Sequence, residues 1–165
     1  MGISVLNPPA VSGGKTKKKV TLTSGSSYTV PAGVTEINVL LVGGGGGASK
    51  ASRTDASGTG IGSSGCPGNS IWSTISTSPG SSIGYSIGAG GTGGNVNTGG
   101  AGGNTTMTGA TTATGGNGGR FDSTMTDCGP SFANNGGIPS VNEANVTPTG
   151  GGGGGSGFIV VEYWS

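Results

Sequence analysis

With no histidine in 165 residues, the chain lacks the commonest general base, and with it the Ser-His and Cys-His pairs of nucleophilic catalysis. Its six carboxylates, Glu36, Asp55, Asp122, Asp127, Glu143 and Glu162, are scattered along the sequence. Asp122 and Asp127 are near enough in sequence to be weighed as a glycosidase pair or as Ca²⁺ ligands. DSTMTD has no calcium-loop spacing, however, and two solvated loop carboxylates describe it better. Cys66 in GCPG and Cys128 in DCGP both sit in turn-like contexts. Without a CxxC pair or a histidine they do not suggest a metal site. A disulfide between them could stabilise by up to about 4 kcal/mol; two unpaired thiols are the other reading, and nothing in the sequence fixes the redox compartment. Residues 88–93 match GxGxxG after a strand-like run, but GNVNTGGAGG follows, which cannot form the helix whose N-terminus a pyrophosphate needs. GGGASK at 45–50 lacks the Gly-Lys-Ser/Thr of a phosphate loop. The expectation is a protein without catalytic residues, metal or cofactor, and so not an enzyme.

The elements that could hold a binding surface are β-type. YTVPAGVTEINVLLV (28–42) ends in a strand apolar on both faces, with Ile37, Val39 and Leu41 on one and Leu40 and Val42 on the other. Such a strand belongs in the middle of a sheet. FIVVEY (158–163) has the same character and is its expected partner. VTLTSGSSYTV (20–30) alternates, turns at Ser24-Gly25-Ser26 and resumes, a hairpin signal. NSIWSTIS (69–76), a turn at Ser78-Pro79-Gly80, and SSIGYSIGAG (81–90) with Ile83, Tyr85 and Ile87 at period two add further strands. NTTMTGATTAT (104–114) reads as a hairpin turning near Gly109. No stretch shows helical periodicity.

Forty-one glycines interrupt and bracket these runs. GGGGG (43–47) follows the first core strand directly, and a second run (150–155) leads into the last. Each ordered glycine loses about 0.5–1 kcal/mol more backbone freedom than alanine, so these runs are either flexible spacers or something only glycine can build. The second reading is favoured because apolar strands abut Gly43 and Gly157 with no polar linker. Glycine runs can adopt the extended threefold polyglycine II helix and bond laterally through N–H···O=C and Cα–H···O contacts. The chain as a whole shows no strict Gly-x-y period, which excludes a collagen triple helix. The expected architecture is all-β: a small β-sandwich with polyglycine II-like segments and long loops, preceded by an arm or linker over 1–19, with the glycine-rich domain over 20–165.

Net charge is +1 and charged residues make up 8% of the chain, which speaks against both a solvated coil and a nucleic-acid binder. The basic cluster KTKKK (15–19) reads either as a solvated entry segment or as an electrostatic dock for an acidic surface. No apolar run is long enough to span a bilayer, and no basic-then-apolar leader is present. Synthesis in a host cytoplasm and exit by lysis or within a particle is the corresponding expectation.

Together, YTVPAGVTEINVLLVGGGGG, SPGSSIGYSIGAGGTGG, GGNTTMTGATTATGGNGG and GGGGGGSGFIVVEYWS, in that order, resemble the glycine-rich domain of bacteriophage tail-fibre proteins and tip adhesins. The resemblance covers about residues 28–163. It implies a virion-surface module, on a fibre tip or capsid exterior, whose loops bind a host receptor, a glycan or an outer-membrane protein. A homotrimer, and anchoring to other virion proteins through Lys15, Lys17, Lys18 and Lys19, complete that expectation; a capsid decoration or head-fibre protein with a mechanical role is the alternative. The segments 48–70 and 120–146 depart most from the generic pattern. The candidate binding residues are therefore Arg53, Asp55, Phe121, Asp122, Phe132 and Asn134, with Trp72 just beyond the first segment. Phe121 and Phe132 could equally plug the core.

Overall fold

The structure, a computed structural model, describes residues 14–49, 64–94, 98–119 and 153–165. The two runs that are apolar on both faces, β3 (Glu36–Val42) and β7 (Phe158–Trp164), pair antiparallel as neighbours, with Val39 opposite Val161 and Leu41 opposite Ile159. Each then gains a partner on its other side: β1 (Lys17–Leu22) beside β7 and β4 (Ser70–Ser76) beside β3, giving the order β1-β7-β3-β4. A second antiparallel sheet has the order β2-β5-β6, from β2 (Ser27–Thr29), β5 (Ser82–Ser86) and β6 (Thr106–Met107). The architecture is all-β, with no helix among the described residues.

Period-two alternation explains the core. Ile37, Val39 and Leu41 of β3, Ile159 and Val161 of β7 and Ile75 of β4 face Tyr28, Ile83, Tyr85 and Met107 of the second sheet, and all are buried. Burying such side chains contributes roughly 1.5–3 kcal/mol each, which makes this layer the source of the fold's margin.

Three sequence readings change here. The expected hairpin over 20–30 does not form, because β1 pairs with β7 and β2 pairs with β5. Ser24-Gly25-Ser26 instead carries the chain from one sheet to the other. Gly25 takes a φ of +99° there, and Tyr85 clamps the crossing by donating its hydroxyl to the Ser24 carbonyl at 2.7 Å and its N–H to that of Ser26 at 2.9 Å. The strand signal also begins earlier than Val20: Lys17, Lys18 and Lys19, assigned to the arm, lie in β1 opposite Trp164, Tyr163 and Glu162. Lysine stems are apolar enough to line an edge strand while their ammonium groups stay in water. Third, although the chain as a whole has no fixed glycine period, three of its segments do, and the period decides how they pack, as set out below. The hairpin near Gly109 does form. Thr105 and Ala113 exchange backbone hydrogen bonds of 2.9 and 3.0 Å, and Gly109 adopts a φ of +87°.

Candidate functional site

Beyond the sheets, six glycine-rich segments lie side by side. Residues 43–48 continue β3, 88–94 continue β5 and 114–119 follow Ala113, all running away from the sheets; 64–69, 99–103 and 153–157 run back and enter β4, β6 and β7. The central segment is 43–48. Gly44 and Gly47 donate to the carbonyls of Gly103 and Gly100, Gly43 and Gly46 to those of Asn69 and Cys66, and Gly45 to that of Gly155. In return the carbonyls of Gly45 and Ala48 accept from Gly91 and Gly94, and those of Gly44 and Gly47 accept from Gly116 and Gly119. Successive bonds to any one neighbour fall three residues apart on both chains, the repeat of the polyglycine II helix. The rim segments are joined in the same way, as in Gly100 to Thr92 and Gly103 to Ala89, or Gly99 to Gly119 and Gly102 to Gly116.

This packing dictates the sequence. Five segments surround the central one, so none of its faces is open, and every residue from 43 to 49 is buried. A Cβ at Gly46 would lie 2.5 Å from the Asn117 carbonyl carbon, and one at Gly47 2.5 Å from that of Thr92. Three of the rim segments meet backbone on two faces and water on the third and carry glycine at two positions in three, whereas the rim segment 64–69 keeps it at one in three, Gly65 and Gly68. In 89–94, 98–103 and 114–119 the sequence accordingly reads X-Gly-Gly, and the X residues Ala89, Thr92, Thr98, Ala101, Thr114 and Asn117 are all exposed. The GxGxxG match at 88–93 is two turns of this helix. Its Gly91 N–H is spent on the Gly45 carbonyl, and no phosphate cradle forms there.

One side chain joins the bundle to the sheets. Thr105 is fully buried; its hydroxyl donates to the Val42 carbonyl at 2.7 Å and accepts from the Gly88 N–H at 3.0 Å. Sequence reasoning passed over it as one threonine among many, although a β-branched residue with a hydroxyl flanked by an X-Gly-Gly run and a strand was available as a signal.

The bundle also fixes a polarity. The chain leaves it at Ser49, Gly94 and Gly119 and returns at Ser64, Thr98 and Gly153, all at the end remote from the sheets. At the opposite end Thr16 and Ser165 exchange backbone bonds of 2.8 and 3.1 Å. A family model described as a glycine-rich domain matches residues 21–158. The chain belongs to that family. No curated protein sequence matches it.

In this glycine-rich domain the expected site residues are distributed as follows. Trp72 is on β4, 58% exposed. Lys15, Lys17, Lys18 and Lys19 are exposed at the end remote from the bundle. Lys17 Nζ pairs with Glu162 Oε2 at 2.7 Å and sits 5.7 Å from the Trp164 ring centroid, its own side chain exposed and that of Glu162 largely covered; surface pairs of this kind are worth about 0.2–1 kcal/mol. Cys66 lies in the returning segment 64–69 and is disulfide-bonded. Arg53, Asp55, Phe121, Asp122, Asp127, Cys128, Phe132 and Asn134 lie outside the described residues. Among the described residues no three metal-capable side chains come together. Burial, reinforced by the neighbouring Tyr163, raises the Tyr28 phenol above the usual tyrosine value, and its hydroxyl has no hydrogen-bond partner among the described residues.

Proposed function

We propose that this glycine-rich domain is a virion-surface adhesin module, of the bacteriophage tail-fibre or fibre-tip kind, held at one end and binding a host receptor with the other. The polarity supports this reading: the two longest stretches that fit neither the strand nor the X-Gly-Gly pattern follow outgoing segments and precede returning ones in the sequence, at the end remote from the sheets. Arg53 and Asp55 fall in the sequence between Ser49 and Ser64, and Phe121, Asp122, Phe132 and Asn134 between Gly119 and Gly153. Binding residues carried on segments that leave a rigid scaffold lose less entropy on association than those on a flexible chain. The exposed lysines at the other end are suited to an acidic seat on a neighbouring virion protein. The receptor is a surface glycan or an outer-membrane protein, and no catalytic step is assigned.

The test is binding of the purified full chain to susceptible cells. Saturable binding is expected, lost in Arg53→Ala with Asp55→Ala or in Phe132→Ala while the melting temperature is unchanged. A protein that binds no susceptible cell, but whose omission weakens capsids, is instead a decoration protein.

A further inference from the structure

The two edges of the larger sheet are guarded unequally. The β1 edge carries three consecutive lysines, the common device against edge-to-edge pairing. The β4 edge, SIWSTIS, has no charge, proline or glycine over seven residues. The bonds Thr77 N–H to Thr35 and Gly43 N–H to Asn69 set the alternation along β4, so that Ile71, Ser73 and Ile75 bond to β3 while Ser70, Trp72, Thr74 and Ser76 aim their backbone groups outward. The Ser70 N–H is taken by its neighbour Asn69 at 2.8 Å. The outward N–H and C=O of Trp72 and Thr74 have no partner among the described residues. Beside them, Trp72 stands exposed on the outer face, opposite Leu40, which in turn lies opposite Val160.

We propose that β4 is a homodimerisation edge, pairing antiparallel with β4 of a second copy. The strand is its own complement about Ser73. In that register Trp72 and the second copy's Thr74 exchange backbone bonds, and Ser70, whose N–H stays with Asn69, accepts from the second copy's Ser76 through its carbonyl; on the inner face Ile71 meets Ile75 and Ser73 meets Ser73. Every residue keeps its face: on the inner face apolar opposes apolar and hydroxyl opposes hydroxyl, and on the outer face Ser70 opposes Ser76 while Trp72 lies beside Thr74. No charge is buried, whereas pairing β1 with itself would bring lysine strands together. Pairing β1 with β4 would set lysines against Trp72 and would be head-to-tail, leaving a free edge on each pair of copies. The twofold operation closes at two copies, in place of the homotrimer that the family resemblance implies, and it does not depend on the adhesin reading.

Sedimentation velocity of the full chain, up to about 1 mM to cover weak association, tests the proposal. A monomer–dimer equilibrium is expected. Trp72→Lys, which puts a charge beside the pairing, and Thr74→Pro, which removes an outward N–H that the fold leaves unbonded, should each weaken it more than about tenfold with unchanged circular dichroism. Ser73→Cys should give a covalent dimer on oxidation, since facing residues of a non-hydrogen-bonded pair lie about 4.5 Å apart at Cα, within disulfide reach. A monomer throughout the range, a trimer, a dimer indifferent to both edge variants, or failure of Ser73→Cys to cross-link would overturn the assignment.

Discussion

The sheets and the glycine bundle hold themselves together by opposite means. In the sheets the repeat is two and side chains fill the space between layers; in the bundle the repeat is three and backbone meets backbone with nothing between. A sheet residue can therefore be changed by degrees, since a smaller side chain leaves a cavity that neighbours partly close. A central bundle glycine such as Gly46 has no intermediate state, because its first added carbon falls on a carbonyl group. The glycines with positive φ, Gly25, Gly33, Gly80 and Gly109, belong to the turns and crossings of the sheets. Those of the bundle are required for the space a Cβ would occupy.

This contrast can be broken most directly at Gly46. Gly46→Ala should cost more than about 5 kcal/mol, beyond the usual range for one substitution and comparable with the whole stability of a small domain. It is expected to abolish cooperative thermal unfolding, whereas Ala101→Ser on the rim should stay within about 0.5 kcal/mol. Equal tolerance at the two positions would mean that the segments are not packed as described. Next in size is Leu41→Ala in the sheet core, expected to cost about 2–5 kcal/mol and to leave a folded protein with a lowered denaturant midpoint and a nearly unchanged slope. The smallest effect is at Tyr28, 8% exposed. With its phenol raised in the folded state, the unfolded chain loses this proton first, so its contribution to stability is constant below about pH 10 and declines above it. Tyr28→Phe should flatten that alkaline decline and cost little at neutral pH, because no hydrogen bond is lost; urea titrations at pH 7 and above pH 10 would register the difference.

The sheets were more legible in sequence than the bundle. Two-faced apolar runs such as Glu36–Val42 and Phe158–Trp164 can satisfy themselves only as interior strands, and they are neighbours. The 104–114 hairpin was legible because its turn needs Gly109. The partners of β1 and β2 were not, since alternation reports which face is apolar but not which sheet accepts it. The lysines hid the start of β1 because charge reads as solvent exposure even where an edge strand continues. The X-Gly-Gly repeats were present in plain view at 89–94, 98–103 and 114–119, but they are short, Asn95-Val96-Asn97 interrupts the first two and the third is out of phase with them, so the chain as a whole looks aperiodic. The two expected binding segments share neither repeat, and of the candidate binding residues all but Trp72 fall outside the described structure.

A column of glycines has no shape of its own, so a slide by one helical turn would restore every bond and go unnoticed locally. Alignment must therefore come from outside the bundle, where Val42, Ser70 and Phe158 are already locked in register at its threshold and Thr105 pins the seam. The sheets act as a template on which the featureless strands are threaded, and assembly has to begin there. A lesion in β3 would consequently misfile helices it never touches.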